Sequence, residues 1–231
     1  MDKKDLRNVT IVGAEVGLMF QPIIWNLWDK SFVPLFTKFL HMVPPQALVQ
    51  LGVLIGFTVL APIALYVLFF LSRFLKILYQ FGKFAAVGSS NSFVDIGLLN
   101  LASVLGFAAT VQARFGDNGF AVLAACTAFT ATINSFFWNK FWTFEAGKSE
   151  EKPLVEVIKF YAVTGVVALF NGFVTSYVFN HVAHPNVSDA LWTNVAKVVA
   201  ILCGMLLNFV GYKFIVFVKP KNVAPVSTPS A

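Results

Sequence analysis

The length and composition of the chain exclude a soluble domain. The 231 residues are 58% hydrophobic and only 12% charged, whereas a soluble domain carries about 25% charged residues. A membrane helix needs about 20 apolar residues, so the chain has room for roughly five or six spans and little extramembrane domain. Because the basic residues behind the net charge of +6 are spread over span ends, nucleic acid is not an expected partner.

The first hydrophobic segment, residues 9–28, has two alternative interpretations. It is long enough to span the membrane, but it carries Glu15 and Pro22. A proline inside a helix removes a hydrogen bond, which predicts an interruption. The segment therefore either crosses the membrane or lies at its interface, where Trp25 and Trp28 would anchor it. The chain has about six spans in the first case and about five in the second.

The second hydrophobic segment is predicted to be a strong span. Pro44 and Pro45 mark a break after the first segment, and residues 46–72 then form a long apolar run. Gly52 and Gly56 give this span a Gly-x-x-x-Gly spacing, which is typical of packing faces in membrane helices. We therefore expect these two glycines to lie at a helix contact.

Four further spans are predicted at residues 84–111, 119–139, 160–181 and 192–217. Lysines and arginines concentrate in alternate connections, whereas the connections around Arg114 and His184 nearly lack them. Positively charged loops face the cytoplasm, so we expect residues 73–83, residues 140–159 and the C-terminus on that side. The tail at residues 220–231 contains proline and serine and is predicted to be disordered.

The last four spans contain a candidate internal repeat of a two-helix unit. Lys83 opens one half and Lys159 opens the other, each followed directly by a phenylalanine. The second helices end alike, because the residues around Lys140 match those around Lys213 without a gap. Both halves enter from the cytoplasm, which predicts a parallel duplication of the kind known in transporters. Chance recurrence of Phe- and Lys-containing span ends is the alternative.

Polar side chains inside the predicted spans form a candidate polar seam, which comprises Asn91, Asp95, Asn134, Asn171 and Asn208. Asp95 lies about halfway along its span, where an acidic side chain costs about 2.5 to 3.5 kcal/mol and so needs a partner or a function. Asn91 lies one turn earlier on the same face, and the repeat register places Asn171 opposite Asp95. For the asparagines we favour the alternative role of interhelical hydrogen bonding, and for Asp95 we favour a function.

Four lysines at the predicted cytoplasmic ends of the repeated spans are candidate phosphate ligands. Lys83, Lys140, Lys159 and Lys213 could ring the mouth of the seam and attract a phosphate as point charges. Their alternative role is snorkelling, which also sets the topology. The sequence has no Ser/His/Asp set, no Gly-rich phosphate loop and no metal-spaced His/Cys cluster. It therefore predicts neither an enzyme nor a metal or cofactor site.

Three motifs in the last four spans resemble those of the GtrA-like membrane protein family. They are FGKFAAVGSSNSFVDIGLLN, INSFFWNKFWTF and LLNFVGYKFIVF. The resemblance covers about residues 80–219 and implies a four-helix membrane domain, preceded by a membrane extension at residues 1–79 and followed by the tail at residues 220–231. It places these residues at positions that match the family pattern: Gly88, Asn91, Asp95, Asn134 and Lys140.

The resemblance implies translocation of a polyprenyl-phosphate-linked sugar across the bacterial cytoplasmic membrane, for glycosylation of cell-surface polysaccharide. The implied partners are an undecaprenyl-phosphate-linked sugar, a membrane glycosyltransferase and membrane lipids. Because four spans enclose little volume, we expect a homodimer to line the path. The alternative function is a non-transporting scaffold that recruits a glycosyltransferase, for which residues 1–79 would be the docking surface. A membrane enzyme is disfavoured because no catalytic set converges.

Overall fold

The computed structural model of the protein describes residues 1–147, 151–182 and 189–218, with only the backbone of residues 189–191. Every regular element in these residues is a helix. The α-helices are α1 (Lys3–Leu27), α2 (Val33–Leu40), α3 (Gln46–Leu71), α4 (Ile77–Val104), α5 (Phe107–Phe115), α6 (Gly119–Trp138), α7 (Pro153–His181) and α8 (Asp189–Gly211). Their π-helical turns are Trp28–Phe32, Asn139–Thr143 and Tyr212–Val216. The predicted disordered tail and His184 lie outside the described residues.

Five helical segments in the described part of the chain are long and apolar enough to cross a membrane. They are Lys3–Leu40, Gln46–Leu71, Phe107–Thr143, Pro153–His181 and Trp192–Val216. The protein is therefore an all-α, multi-pass membrane protein, which confirms the predicted fold class. The strong span predicted at residues 46–72 is α3, and it begins directly after Pro45 as expected.

The first helix differs from its prediction because it continues through its proline. Pro22 is buried inside α1, and the helical path then runs on through the π-helical turn and α2 to Leu40. The predicted interruption at Pro22 is wrong: one missing hydrogen bond is tolerated where the helix packs against α3 and α4. The Asp2 side chain caps the start of α1 by accepting a 2.6 Å hydrogen bond from the Asp5 N–H.

Glycines allow α1 to approach its neighbours closely, but they are not the glycines that the sequence indicated. A Cβ at Gly13 would collide with the Phe57 carbonyl of α3, and one at Gly17 would lie 2.8 Å from the Leu54 backbone. By contrast, no atom of the described residues lies within 4 Å of such a Cβ at Gly52 or Gly56 of α3. The packing pair is therefore on α1, in the same Gly-x-x-x-Gly spacing.

The span predicted at residues 84–111 has different ends. The helix α4 begins at Ile77 and stops at Val104, because Gly106 adopts a left-handed φ of 78° that a helix cannot continue. It has 28 residues but is not among the five apolar segments of the described chain. The polar run from Ser89 to Ser92, together with Asp95, lowers its hydropathy. This polar helix packs against α1, α3 and α6.

The chain forms two compact units, Met1–Thr143 and the part that begins at Phe144. The first unit joins the predicted extension to the first helix pair of the predicted four-helix domain. In it, α1 and α4 run parallel. Three hydrogen bonds join them in the same order along both helices: Asp5 with Tyr79, Glu15 with Ser90, and Asn26 with Asn100. The boundary at residue 80 stays a prediction.

The second unit is a helix pair with an aromatic end. The helix α7 begins seven residues before the predicted span, at Pro153, and packs along α8. The Phe160 ring stacks on the Tyr212 ring at 4.4 Å between centroids, and Phe144 stacks on Phe217 at 5.4 Å. These rings close the end of the pair where α8 passes into its π-helical turn.

Candidate functional site

The two repeated helix ends have the same unusual backbone. The helix α6 passes into a π-helical turn at Asn139–Thr143, and α8 passes into one at Tyr212–Val216. The two turns begin at matching positions of the predicted repeat, one residue before Lys140 and Lys213 respectively. Such widened turns are rare and are frequent at functional sites. A third π-helical turn, Trp28–Phe32, lies outside the repeat, so it is the matching register of the other two turns that favours duplication over chance recurrence.

The two lysines of these turns both lie near phenylalanine rings, although Lys140 is buried and Lys213 is partly exposed. Lys140 Nζ lies 5.8 Å from the ring centroids of both Phe136 and Phe141. Lys213 Nζ lies 5.6 Å and 5.8 Å from the rings at the equivalent positions. Ring faces attract an ammonium by about 0.5 to 2 kcal/mol, depending on desolvation. Each repeat therefore holds one cation at its π-helical turn, on aromatic faces.

Lys83 has a different environment, because a carboxylate of the N-terminal extension reaches it. Its Nζ lies 2.7 Å from Asp5 Oδ2, and both side chains are more than nine-tenths buried. The same carboxylate accepts a 2.6 Å hydrogen bond from the Tyr79 hydroxyl and a 2.8 Å bond from Trp142 Nε1. We call Asp5, Tyr79, Lys83 and Trp142 the carboxylate clamp. It fixes the start of α1 to α4 and to the end of α6.

Asp95 has a partner inside the first unit. Thr127 Oγ1 of α6 donates a 2.6 Å hydrogen bond to Asp95 Oδ1 of α4. Two amide atoms in the same helix pair, Asn91 Oδ1 and Asn134 Nδ2, are buried without a hydrogen-bond partner among the described residues. Unsatisfied buried amides are uncommon. They give the pair hydrogen-bonding capacity that the described residues do not use.

In the second unit, the position that corresponds to Asp95 is occupied by a neutral amide, Asn171. The Asn171 amide lies against Gly204 of α8, where a Cβ would collide with it. Asn171 Oδ1 and Asn208 Oδ1 are buried, and neither has a hydrogen-bond partner in the described ranges. Lys159 Nζ lies 2.5 Å from Glu151 Oε1, and both of these side chains are about one-third exposed. The predicted seam residues thus belong to two compact units, with Asn91, Asp95 and Asn134 in the first and Asn171 and Asn208 in the second.

A third carboxylate was missed by the sequence analysis as a site residue. Glu15 Oε2 of α1 accepts a 2.6 Å bond from Ser90 Oγ of α4 and a 3.1 Å bond from Trp138 Nε1 of α6. Its sequence signal was an acidic residue in an apolar segment, which predicts a partner or a function. Asp5 gave no such signal, since it stands among charged residues at the start of the chain.

The arrangement provides groups that can bind polar ligands. Within the described residues no three His, Cys, Asp or Glu side chains are grouped so as to hold a metal ion. What the first unit does offer is carboxylates and amides between helices, and cations at helix ends. Such groups can hydrogen-bond hydroxyls and attract a phosphate. The roles of the predicted site residues in binding stay predictions.

Comparisons with known proteins agree on the C-terminal part of the chain. Residues 83–217 match the family model described as "GtrA/DPMS, transmembrane domain". A Bacillus subtilis (strain 168) protein, described as "Uncharacterized membrane protein YngA", is 25% identical over 136 residues, which cover 59% of this chain and 78% of that protein. No solved structure matches. The matched region includes α4 from Lys83 onward, and α1 lies outside it.

Proposed function

Because the chain belongs to the family of GtrA/DPMS transmembrane domains, we propose that it translocates a polyprenyl-phosphate-linked sugar across the bacterial cytoplasmic membrane, without enzymatic conversion. This movement would supply sugar to a membrane glycosyltransferase that decorates cell-surface polysaccharide. The substrate of the proposal is an undecaprenyl-phosphate-linked sugar, and the C-terminus faces the cytoplasm. The match to a membrane domain over more than half of the chain supports the membrane location.

The observation that carries the proposal is the hydrogen bond between Asp95 and Thr127. It lies in the matched region, between a polar helix and an apolar one. A carboxyl group inside a span is costly and commonly marks a transport path. A purely structural contact needs only two neutral groups, whereas here an acidic side chain is used.

The physical task explains why such groups are useful. A lipid-linked sugar must bring hydroxyls and a phosphate through hydrocarbon, where polar groups without partners cost several kcal/mol, while its isoprenoid tail stays in lipid. Asp95 and the unsatisfied amides of Asn91 and Asn134 provide partners for hydroxyls along the first helix pair. Lys140 attracts the phosphate at the end of α6. We further propose that a homodimer encloses the path.

Asp95 has two alternative roles in this scheme. It either accepts hydrogen bonds from the sugar hydroxyls, or it holds a proton whose release resets the path. Transport that depends on a proton gradient identifies the second role, and transport that ignores the gradient identifies the first.

The test is transbilayer movement of a labelled undecaprenyl-phosphate sugar in proteoliposomes. We expect movement with the wild type and a loss of about tenfold or more with Asp95→Asn and with Lys140→Ala, since each removes a charge-assisted contact. Asp117→Asn and Lys38→Ala are matched controls, because these charged residues are exposed and lie outside the helix pair. The controls should retain the wild-type rate at equal reconstitution.

Absence of movement across several sugars, with folded wild-type protein, would contradict the proposal. It would favour the scaffold alternative, whose test is co-purification with a membrane glycosyltransferase. Deleting residues 1–45 does not separate the two functions, because it removes Asp5 and Glu15 from their contacts with α4 and α6. Single substitutions on exposed faces are the better probe of docking.

A further inference from the structure

A groove between α1 and α6 has polar groups in an apolar wall. It has a volume of about 650 Å³, within the range of small-molecule sites. Glu15 comes from α1, and Asn134 and Trp138 come from α6, while most of the other lining side chains are apolar. A second cavity of the first unit, about 350 Å³ beside Phe57, is lined almost entirely by apolar residues. Of these two cavities, the first is the one that offers charged and amide groups.

The Glu15 carboxylate is oriented but retains hydrogen-bonding capacity. Both of its hydrogen bonds, from Ser90 and Trp138, are accepted by Oε2. Among the described residues, none donates a hydrogen bond to Oε1. Because two donors hold Oε2 between α4 and α6 and Glu15 lines the groove, Oε1 is the carboxylate oxygen left as an acceptor for a ligand donor.

Asn134 and Trp138 complement this acceptor. Asn134 lines the same groove, and its Nδ2 is buried without a hydrogen-bond partner within the described chain, so this residue retains an unused donor. The Trp138 indole N–H is engaged by Glu15, which fixes the plane of the ring. Its faces can then stack on an apolar surface such as the C–H face of a sugar ring.

The charge of the groove selects between the two parts of an amphiphilic head group. A carboxylate accepts hydrogen bonds only, and it repels a phosphate at short range. Hydroxyl groups, in contrast, can donate to Glu15 and accept from Asn134. The polar groups therefore fit the uncharged, hydroxyl-rich part of a lipid head group, and the apolar wall fits the lipid beside it.

We propose that this groove binds the sugar ring of the lipid-linked substrate, with Glu15 and Asn134 bonded to hydroxyls and Trp138 stacked on the ring. The proposal rests on the proposed function and extends it, because Glu15 belongs to α1 and lies outside the region matched to the family. The extension thereby becomes part of sugar recognition.

The experiment measures binding to the purified full-length protein in nanodiscs. The probes are undecaprenyl phosphate bearing glucose, galactose or N-acetylglucosamine, and undecaprenyl phosphate without a sugar. The wild type should bind at least one sugar-bearing lipid more tightly than the bare lipid. Glu15→Gln, Trp138→Leu and Asn134→Leu should each weaken binding of that preferred lipid by about tenfold, with the affinity for bare undecaprenyl phosphate unchanged.

Controls separate binding from folding. Asn134→Leu removes an amide nitrogen that has no described partner, so it tests the groove even where Glu15→Gln lowers stability. Trp25→Leu and Asp29→Asn are matched controls, since both side chains are exposed and lie outside the groove. These controls should bind every probe as the wild type does.

Three results would overturn the groove assignment. They are equal binding of bare and sugar-bearing lipids by the wild type, unchanged sugar preference in all three groove variants, and equal weakening for both kinds of lipid. The proposed function is judged separately by transport: wild-type movement together with any of these results retains the translocator and rejects the groove. Sugar-selective binding without movement retains the groove and rejects the translocator.

Discussion

The two repeats share a frame but differ in the charges they bury. The first repeat (α4, α6 and its π-helical turn) and the second (α7, α8 and its π-helical turn) both end in a lysine held over two phenylalanine rings. At the opening position, however, Lys83 is buried on Asp5, whereas Lys159 contacts Glu151 at the surface. The two repeats therefore share the lysine at the π-helical turn, and they differ in whether the opening lysine forms a buried or a partly exposed ion pair.

The N-terminal helix accounts for much of this difference. It supplies Asp5 and Glu15 to the first repeat, and Asn26 of α1 donates a 2.8 Å hydrogen bond to Asn100 of α4. Three polar contacts are thus distributed along one parallel helix pair. Inside the first repeat Asp95 stands where the second repeat has Asn171. Asp5, Glu15 and Asp95 are therefore grouped around α4, while the second unit buries a different acid, Glu156 of α7.

The largest expected effect comes from breaking the carboxylate clamp. Asp5→Ala removes the carboxylate that lies 2.7 Å from the buried Lys83 Nζ, and removal of one partner of a buried pair costs about 3 to 5 kcal/mol. Glu151→Ala at the equivalent pair of the second repeat should cost less than about 1 kcal/mol, since that pair is partly exposed. Thermal unfolding of the detergent-solubilised protein compares the two. Equal shifts would show that the clamp is no stronger than a surface pair.

A smaller effect is expected from the close approach of α1 to α4. A Cβ at Gly97 would collide with the Met19 carbonyl of α1, so Gly97→Ala must separate the helices, at a cost of about 1 to 3 kcal/mol. Gly172→Ala on α7 is the matched control, because no described atom lies within 4 Å of its Cβ position. The same unfolding assay applies. A Gly97→Ala protein as stable as the control would contradict this tight contact.

The smallest stability effect is expected at the partner of Asp95. Thr127→Val keeps the shape but removes the hydrogen bond to the carboxyl, which is worth roughly 0.6 to 1.7 kcal/mol in membrane proteins. Thr130→Val is the control, since the Thr130 hydroxyl bonds only to the Cys126 carbonyl of its own helix in the described structure. Thr127→Val should also slow transport, whereas Thr130→Val should not. Identical transport rates in the two variants would contradict the expectation that transport requires Thr127 to hold the Asp95 carboxyl in place.

Local sequence patterns predicted the elements that depend on local properties. The apolar run of α3 and the break at Pro44 and Pro45 are features of adjacent residues, and both are confirmed. The end of α4 was missed because Gly106 stands among apolar residues, where nothing in the sequence indicates a left-handed backbone. Pro22 was misinterpreted because its tolerance depends on packing against other helices, which a local pattern does not contain.

The candidate site was predictable only in part, for a similar reason. Asp95 stood out because its cost inside a span is a local property, whereas its partner Thr127 is 32 residues away. Asp5 and Trp142 meet across 137 residues, and neither carries a motif. Pairings at such separation follow from helix packing. The sequence could therefore indicate which residues need a partner, but not which partners they have.

Transport by two matched variants tests the central claim most directly, that the first repeat carries the acidic group needed for movement. Asp95→Asn and Asn171→Ala would be compared with the wild type in proteoliposomes holding labelled undecaprenyl-phosphate sugar, at equal amounts of folded protein. We predict that Asp95→Asn slows movement about tenfold or more, while Asn171→Ala stays within about twofold of the wild type. A loss with Asn171→Ala equal to or greater than that with Asp95→Asn would contradict the claim.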